Sequence, residues 1–464
     1  MRLGRALHRP WPILIFLCLT TLLLAPTGSV AAPASASVRL KPTVGPPTTK
    51  VKVTGAGFGS TEQVIITFDS TEVGSATTDP SGSFTAMIKT PASAAPGDHT
   101  VTATGQSSGF IAWATFRVRT DWPKFRFDDS NSGYNRYENV LSRSNVFRLS
   151  EHWAFRTGSD IGSSPAVSAG VAYAGSDDYA LYAIDASTGT KLWTFVTGSM
   201  VASSPAVANG VVYVGSWDGT FYALNAATGS KLWSFTTGSD FTSSPVVAGG
   251  MVYMADDFKV YALDASTGAK VWSFDAGFVI VSSPAVADGM VYVAGVDTNV
   301  YALDATTGAK VWSFSTGSYG FESSPAVVGG VVYVGADRLY ALDAATGAEL
   351  WTFSSGFAFD SSAAVVKAVV YVGSYNGDVY ALDATTGTQL WSSQIGSGVG
   401  SSPAVANGVV YVGSIDGRLY ALSAGTGAKL WRSGRVGPVY SSPAVADGVI
   451  YVGSDDGNLY SFGL

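Results

Sequence analysis

The chain has 464 residues, a net charge of −7, one cysteine and three histidines. Residues 1–150 carry 15 Lys and Arg against 9 Asp and Glu, whereas residues 151–464 carry 12 against 25, a net of −13. An acidic body of that size repels phosphate backbones, which excludes nucleic acid as a partner and leaves cationic peptides, metal ions and neutral sugars open.

Residues 1–31 open with Arg2, Arg5 and Arg9, continue as an apolar run over 13–25 and end in small residues through Ser29-Val-Ala-Ala32. This is the layout of a secretory signal peptide, with cleavage expected after Ala31 or Ala36. The apolar run is short for a membrane span, and an uncleaved anchor is the alternative. Cys18 lies inside the run and is followed by apolar residues, unlike a lipoprotein acceptor. The mature chain is therefore expected to be exported (secreted, cell-surface or periplasmic), with no thiol, lipid or transmembrane span.

Residues 38–119 alternate short apolar strands over 52–54, 63–68, 83–88, 100–104 and 112–118 with Gly- and Pro-rich breaks. Val53-Thr-Gly-Ala-Gly-Phe58 and Pro96-Gly-Asp-His-Thr-Val-Thr-Ala103 resemble bacterial immunoglobulin-like modules of the IPT/TIG kind. That resemblance implies a small β-sandwich acting as a spacer, with direct adhesion as the alternative. A lead-in segment over 120–150 carries Trp122, Phe125, Phe127, Tyr134 and Tyr137, too aromatic for a free linker, and is expected to pack against the repeat region after it.

From 151 to 464 one cassette repeats. Its tryptophans are Trp153, Trp193, Trp233, Trp272, Trp312, Trp351, Trp391 and Trp431, at intervals of 39 or 40 residues. Such a period means stacked or radial units that cannot bury their own apolar faces alone. The second copy has apolar runs over 205–208, 211–215, 221–224 and 232–235, divided by Asn209-Gly210 and Asp218-Gly219. Those dipeptides favour hairpin turns, so the cassette reads as a four-stranded antiparallel blade. Proline recurs in the first strand, as expected for an edge with no ladder partner on its inner side. The first three strands occur eight times. The Trp-bearing fourth strand starts early, at Trp153, and is missing after Tyr460. The expected fold is all-β: an eight-bladed β-propeller closed three-plus-one, preceded by the sandwich.

The segment Ala183-x-Asp185-x-x-Thr188-Gly189-x-x-x-Trp193 and its later copies resemble the tryptophan-docking motif of the pyrroloquinoline-quinone (PQQ)-like propeller family, which includes quinoprotein and BamB-type members. Asp121-Trp-Pro-Lys-Phe and Ser132-Gly-Tyr-Asn resemble that family's opening segment. The resemblance implies that all eight tryptophans dock flat between blades, with Asp185, Asp264, Asp304, Asp343 and Asp383 as turn formers. For the enzymatic members it implies calcium-bound PQQ near the axis, an Asp base and, in alcohol oxidisers, a disulfide of neighbouring cysteines. BamB-type members assist outer-membrane β-barrel assembly and carry a lipid anchor.

The ring has no cysteine, one histidine (His152) and no long insertion to cover a cofactor, so redox catalysis is the lesser reading. Gly396-Ser-Gly-Val-Gly400 is followed by a strand rather than a helix, which removes it as a phosphate loop. Strand order places the fourth-to-first connections and second-to-third turns on one face, where the repeats vary most. A binding rim is expected there from Met200, Trp217, Phe241, Phe258, Phe278, Tyr319, Phe321, Phe357, Phe359, Tyr375 and Tyr440. Glu322 and Asp360, just before two innermost strands, are candidate calcium ligands or solvated rim charges. The function expected is a non-catalytic scaffold for a protein or glycan partner, with no cofactor. A PQQ-dependent dehydrogenase and a polysaccharide-binding surface protein are the alternatives.

Overall fold

Alternating strands build the N-terminal sandwich because each presents every second side chain to one interior. Val51, Val53, Val64, Ile66, Phe68, Val101, Phe116 and Val118 are all buried there. A three-stranded sheet (Ser37–Lys41, Lys50–Ala56, Phe84–Lys89) faces a five-stranded one ordered Val44–Gly45, Ile111–Val118, Gly97–Gly105, Gln63–Phe68, Thr71–Thr77. The five expected strands are present. Three more escape the sequence pattern, and Thr71–Thr77 shows why: it is a polar edge strand with no fully buried residue. The computed structural model describes residues 35–317 and 320–464, so the expected signal peptide, Cys18 and Tyr319 lie outside the described residues.

From residue 166 onward the cassette forms sheets of four antiparallel strands, eight among the described residues and numbered here as blades in chain order; the seventh gains Tyr134–Asn135 of the lead-in segment as a fifth, parallel strand. The outer strand of blade 8 is Ser150–Arg156, paired with the C-terminal Asn458–Gly463. Both ends of the repeat region therefore meet in one sheet. The innermost strands touch their neighbours in a closed cycle, Ala444–Ala446 returning to Ala166–Ser168.

What joins blade to blade is one motif used eight times. Seven of the tryptophans donate from Nε1 to an alanine carbonyl of the next blade at 2.9–3.1 Å. Trp153 reaches Ala186 O, Trp193 Ala226 O, Trp233 Ala265 O and Trp272 Ala305 O. Trp312 reaches Ala344 O, Trp351 Ala384 O and Trp391 Ala424 O. The eighth, Trp431, finds Leu149 O instead, because the Asp-Ala-x-Thr-Gly turn is missing from blade 8. Burial is not uniform around the ring. Trp272, Trp312 and Trp351 are buried, whereas Trp153, Trp193, Trp233, Trp391 and Trp431 are half-buried and keep one edge in water. The carboxylate of Asp185 accepts from Ser187 and Thr188 and shapes the turn against which the ring lies.

Around the axis the backbone N–H of the second serine of each Ser-Ser pair donates to the hydroxyl of its counterpart in the next blade. The series runs Ser164, Ser204, Ser244, Ser283, Ser324, Ser362, Ser402, Ser442 and back to Ser164, at 2.8–3.0 Å.

All but one of the inner strand edges find a partner, contrary to the expectation from their prolines. The lead-in segment coils into one end of the channel and pairs with them. Trp122 exchanges two backbone hydrogen bonds with Val167, and Val207, Val286, Val327, Val365 and Val405 donate to Pro123, Asp129, Ser130, Ser132 and Gly133. Asn135 Nδ2 reaches Val445 O, so seven of the eight blades are engaged. Blade 3 is passed over, leaving a cavity of about 210 Å3 lined by Pro123, Lys124, Phe127, Asp129 and Val247. Arg126 is fully buried, and its guanidinium fork bridges blades 6 and 7 by donating to Ala363 O and Pro403 O. Asn131 Nδ2 bridges blades 4 and 5 through Pro284 O and Pro325 O. Proline suits its own position because only its carbonyl is called on there, while the N–H that the lead-in segment uses belongs to the valine two residues later.

Candidate functional site

The lead-in segment lies on the face of the first-to-second-strand turns. Thr120 bonds Asp447, Glu138 accepts from Gly448 N, and Asn407 donates to Leu141 O. The sandwich meets the same segment, with Asn139 donating to Ala94 O. That face of the ring is therefore covered by the chain itself. The opposite face, carrying the variable connections, holds the candidate site.

Three of the expected rim aromatics are not on the rim. Phe241, Phe321 and Phe359 are fully buried. They occupy the slot two residues before each Ser-Ser pair, which Ile161, Val201, Ile280, Val399 and Val439 fill in the other blades, all buried. A Cβ added at Gly215 would stand 2.4 Å from the Phe241 Cβ, so the slot and the bare second-strand glycine are matched. An apolar residue at that offset in all eight copies was the signal for a structural role.

Trp217, Phe258, Phe278, Phe357, Tyr375 and Tyr440 are exposed, from 38 % at Trp217 to 60 % at Phe278, and Met200 is half-buried. Many of the carboxylates of this face are structural. The third-strand tyrosine commonly donates to a turn carboxylate, as in Tyr182 to Asp178 and Tyr222 to Asp218. Others crowd one another. Asp455 is pushed up to about 6 by burial and by the neighbouring Asp160, Asp177 and Asp456. Asp257 is raised by burial, then by Asp240 and Asp256.

At the axial mouth, Glu322 and Asp360 do stand together, and Tyr375 and Tyr440 stand with them. Burial, then the Glu322 carboxylate, pushes Asp360 from the ordinary 3.8 to about 6. A raised value means that the folded state holds the proton more tightly than the unfolded chain. Its stabilising effect is complete below about pH 4 and is lost as the pH rises through about 6. Asp360→Asn is therefore expected to raise the melting temperature above that of the wild type at pH 8 and to match it near pH 4. Parallel melts across that range check this.

The donor set does not fit the cofactor or the metal that the family resemblance brings. PQQ is a multiply charged anion, and the axial mouth presents carboxyl groups to it. The buried cations Lys124 and Arg126 are committed to oxygens of the lead-in segment and the inner strands. Among the described residues no three His, Cys, Asp or Glu side chains are grouped to hold a metal ion. Glu322 and Asp360 are two ligands where calcium takes six to eight. His152 lies exposed on the outer strand of blade 8, away from the axial mouth.

A family model described as outer membrane protein assembly factor BamB matches residues 97–242, 235–338 and 335–462. The chain belongs to this PQQ-like β-propeller family. A macroglobulin-like domain model matches residues 34–118, which fits the immunoglobulin-like module expected there. No curated protein matches the chain.

Solved structures share the fold of the family. BamB from Moraxella catarrhalis is 22 % identical, with a TM-score of 0.59 over 68 % of this chain and 100 % of that one. A europium-containing methanol dehydrogenase is 17 % identical, with a TM-score of 0.66 over 74 % of this chain and 98 % of that one. The quinohemoprotein alcohol dehydrogenase of Comamonas testosteroni is 18 % identical, with a TM-score of 0.63 over 74 % and 80 %. One fold thus serves an assembly factor and enzymes, and the function must be argued from the site.

Proposed function

We propose that the chain is an exported, non-catalytic scaffold that binds a polypeptide partner through the open face of its propeller. The observation that carries this is the asymmetry of the ring. One face is filled by the chain's own lead-in segment, while the other presents exposed aromatic side chains among carboxyl groups, few of which meet a cation. Large rings in such a setting act as anchors for a partner's side chains. Negative charge in excess favours a cationic polypeptide over a neutral glycan. The BamB described for the matching family is an assembly factor for outer membrane proteins, which agrees with a protein partner in the cell envelope.

The test is affinity capture from the envelope fraction of the source cells with cross-linking. The bait is either the wild type or a variant carrying Trp217→Ser, Phe278→Ser and Phe357→Ser. A protein captured by the wild type and lost from the variant supports the reading. Identical captures by both baits would sink it.

A further inference from the structure

Eight positions border the axis directly before the Ser-Ser pairs, and most are small or apolar: Gly162, Ala202, Thr242, Val281 and Gly400. The remaining three are Glu322, Asp360 and Tyr440. Tyr375, from the second-to-third-strand turn of blade 6, joins them. Blade 7 makes room for the two rings with glycine. A Cβ at Gly398 would stand 3.0 Å from the Tyr375 ring, and one at Gly400 would stand 3.3 Å from the Tyr440 ring.

The polar groups of this cluster are incomplete. The Asp360 carboxyl is shared with Tyr375 and Glu322, and its Oδ1 is buried without a hydrogen-bond partner. Neither Glu322 nor Asp360 is in an ion pair with any Lys, Arg or His among the described residues. Both tyrosines are more than two-fifths exposed, which leaves them within reach of a ligand. Two carboxyls beside two tyrosine rings are the elements that hold an organic cation, which gains charge from the former and ring quadrupole from the latter. A metal ion would use only the oxygens and leave the rings without a role.

We propose that Glu322, Asp360, Tyr375 and Tyr440 form a subsite at the axial mouth for an arginine or lysine side chain of the polypeptide partner. This deepens the proposed function and rests on it. The partner would lie across the open face with apolar residues against the rim rings and one basic side chain directed into the channel. Salt weakens the contact at the mouth, and the rim contacts resist salt.

The test is calorimetric titration of the full mature chain at low salt with tetra-arginine amide, tetra-lysine amide and calcium chloride. The wild type is expected to bind the basic peptides. Glu322→Gln with Asp360→Asn is expected to weaken them about tenfold or more, and Tyr375→Ala with Tyr440→Ala about threefold or more, with Tyr→Phe at both positions retaining binding. Asp160→Asn with Asp177→Asn, on the same acidic face but away from the mouth, is the control and is expected to change little. Equal losses from the mouth and the control pairs would mean a diffuse charge effect and overturn the subsite. So would unaltered peptide binding in both mouth variants, or preferential binding of calcium. In those cases the capture experiment with the rim variant still decides the wider reading, because its substitutions leave all four mouth residues in place.

Discussion

Trp272→Ala is expected to cost about 3–5 kcal/mol and to lower the melting temperature by on the order of 10 °C. The indole is buried between blades 3 and 4, with Nε1 donating to Ala305 O at 3.0 Å and the ring beside Tyr253 at a centroid distance of 5.9 Å. Tyr253 donates to the same carbonyl, so that acceptor survives the substitution and the loss is chiefly one of packing. Trp312 and Trp351, buried in the same way, should behave alike, and the half-buried Trp233 should lose less. The matching test uses the other side of the contact. At Gly308 (φ +73°) an added Cβ would meet two ring carbons of Trp272 at 2.6 Å, whereas at Gly210 (φ +78°) it would meet nothing within 4 Å. Both Gly→Ala changes bear the left-handed backbone penalty of about 1–2 kcal/mol, and only Gly308→Ala adds the collision. Denaturant titration should therefore rank Trp272→Ala and Gly308→Ala well below Gly210→Ala. Equal effects of the two glycine changes would refute the docking contact as the source of stability.

Arg126→Ala is the second large loss. Two effects compete at this residue. Burying a guanidinium is costly: its pKa is drawn down to about 9 by desolvation, with Asp128 as the charge partner opposing the shift. Against this, removing the fork strands the buried carbonyls of Ala363 and Pro403, at about 1–3 kcal/mol each, and leaves a void. The stranded carbonyls win because the fork spans two blades at once and no smaller side chain at 126 can reach both, and a net loss of about 2–6 kcal/mol results. Arg126→Lys should fall between, since one ammonium cannot bridge both blades as the planar fork does. Limited proteolysis supplies a second readout: the 120–140 segment should become cleavable in Arg126→Ala before the blades unfold. A segment as resistant as in the wild type would show that the fork is not what seats it.

Some of this architecture is legible along the chain and some is not, for reasons that particular residues make plain. Trp153 and the truncated end at Asn458–Leu464 pointed to a shared sheet, because strand counting requires no side-chain geometry. The aromatic content of 121–137 announced packing but not place, since nothing in Arg126 or Asn131 says which carbonyls they will meet 150 or more residues away. Phe241, Phe321 and Phe359 lie in the interior because their position in the repeat, and not their aromatic character, decides their place. The same slot takes Ile or Val elsewhere, and only burial is common to all eight. Glu322 and Asp360 were paired from their shared offset before Ser-Ser, while the approach of Tyr375 depends on how blade 6 lies against the glycines of blade 7.

The repeat, the strand order, the closure and the sign of the charge belong to the chain alone, because each comes from periodicity and composition. Folding in three dimensions was needed to settle which end of the channel is filled, which aromatic rings face solvent and which carboxyl groups are left without cations. Those depend on contacts between residues of different blades, whose distances from the axis no local pattern encodes.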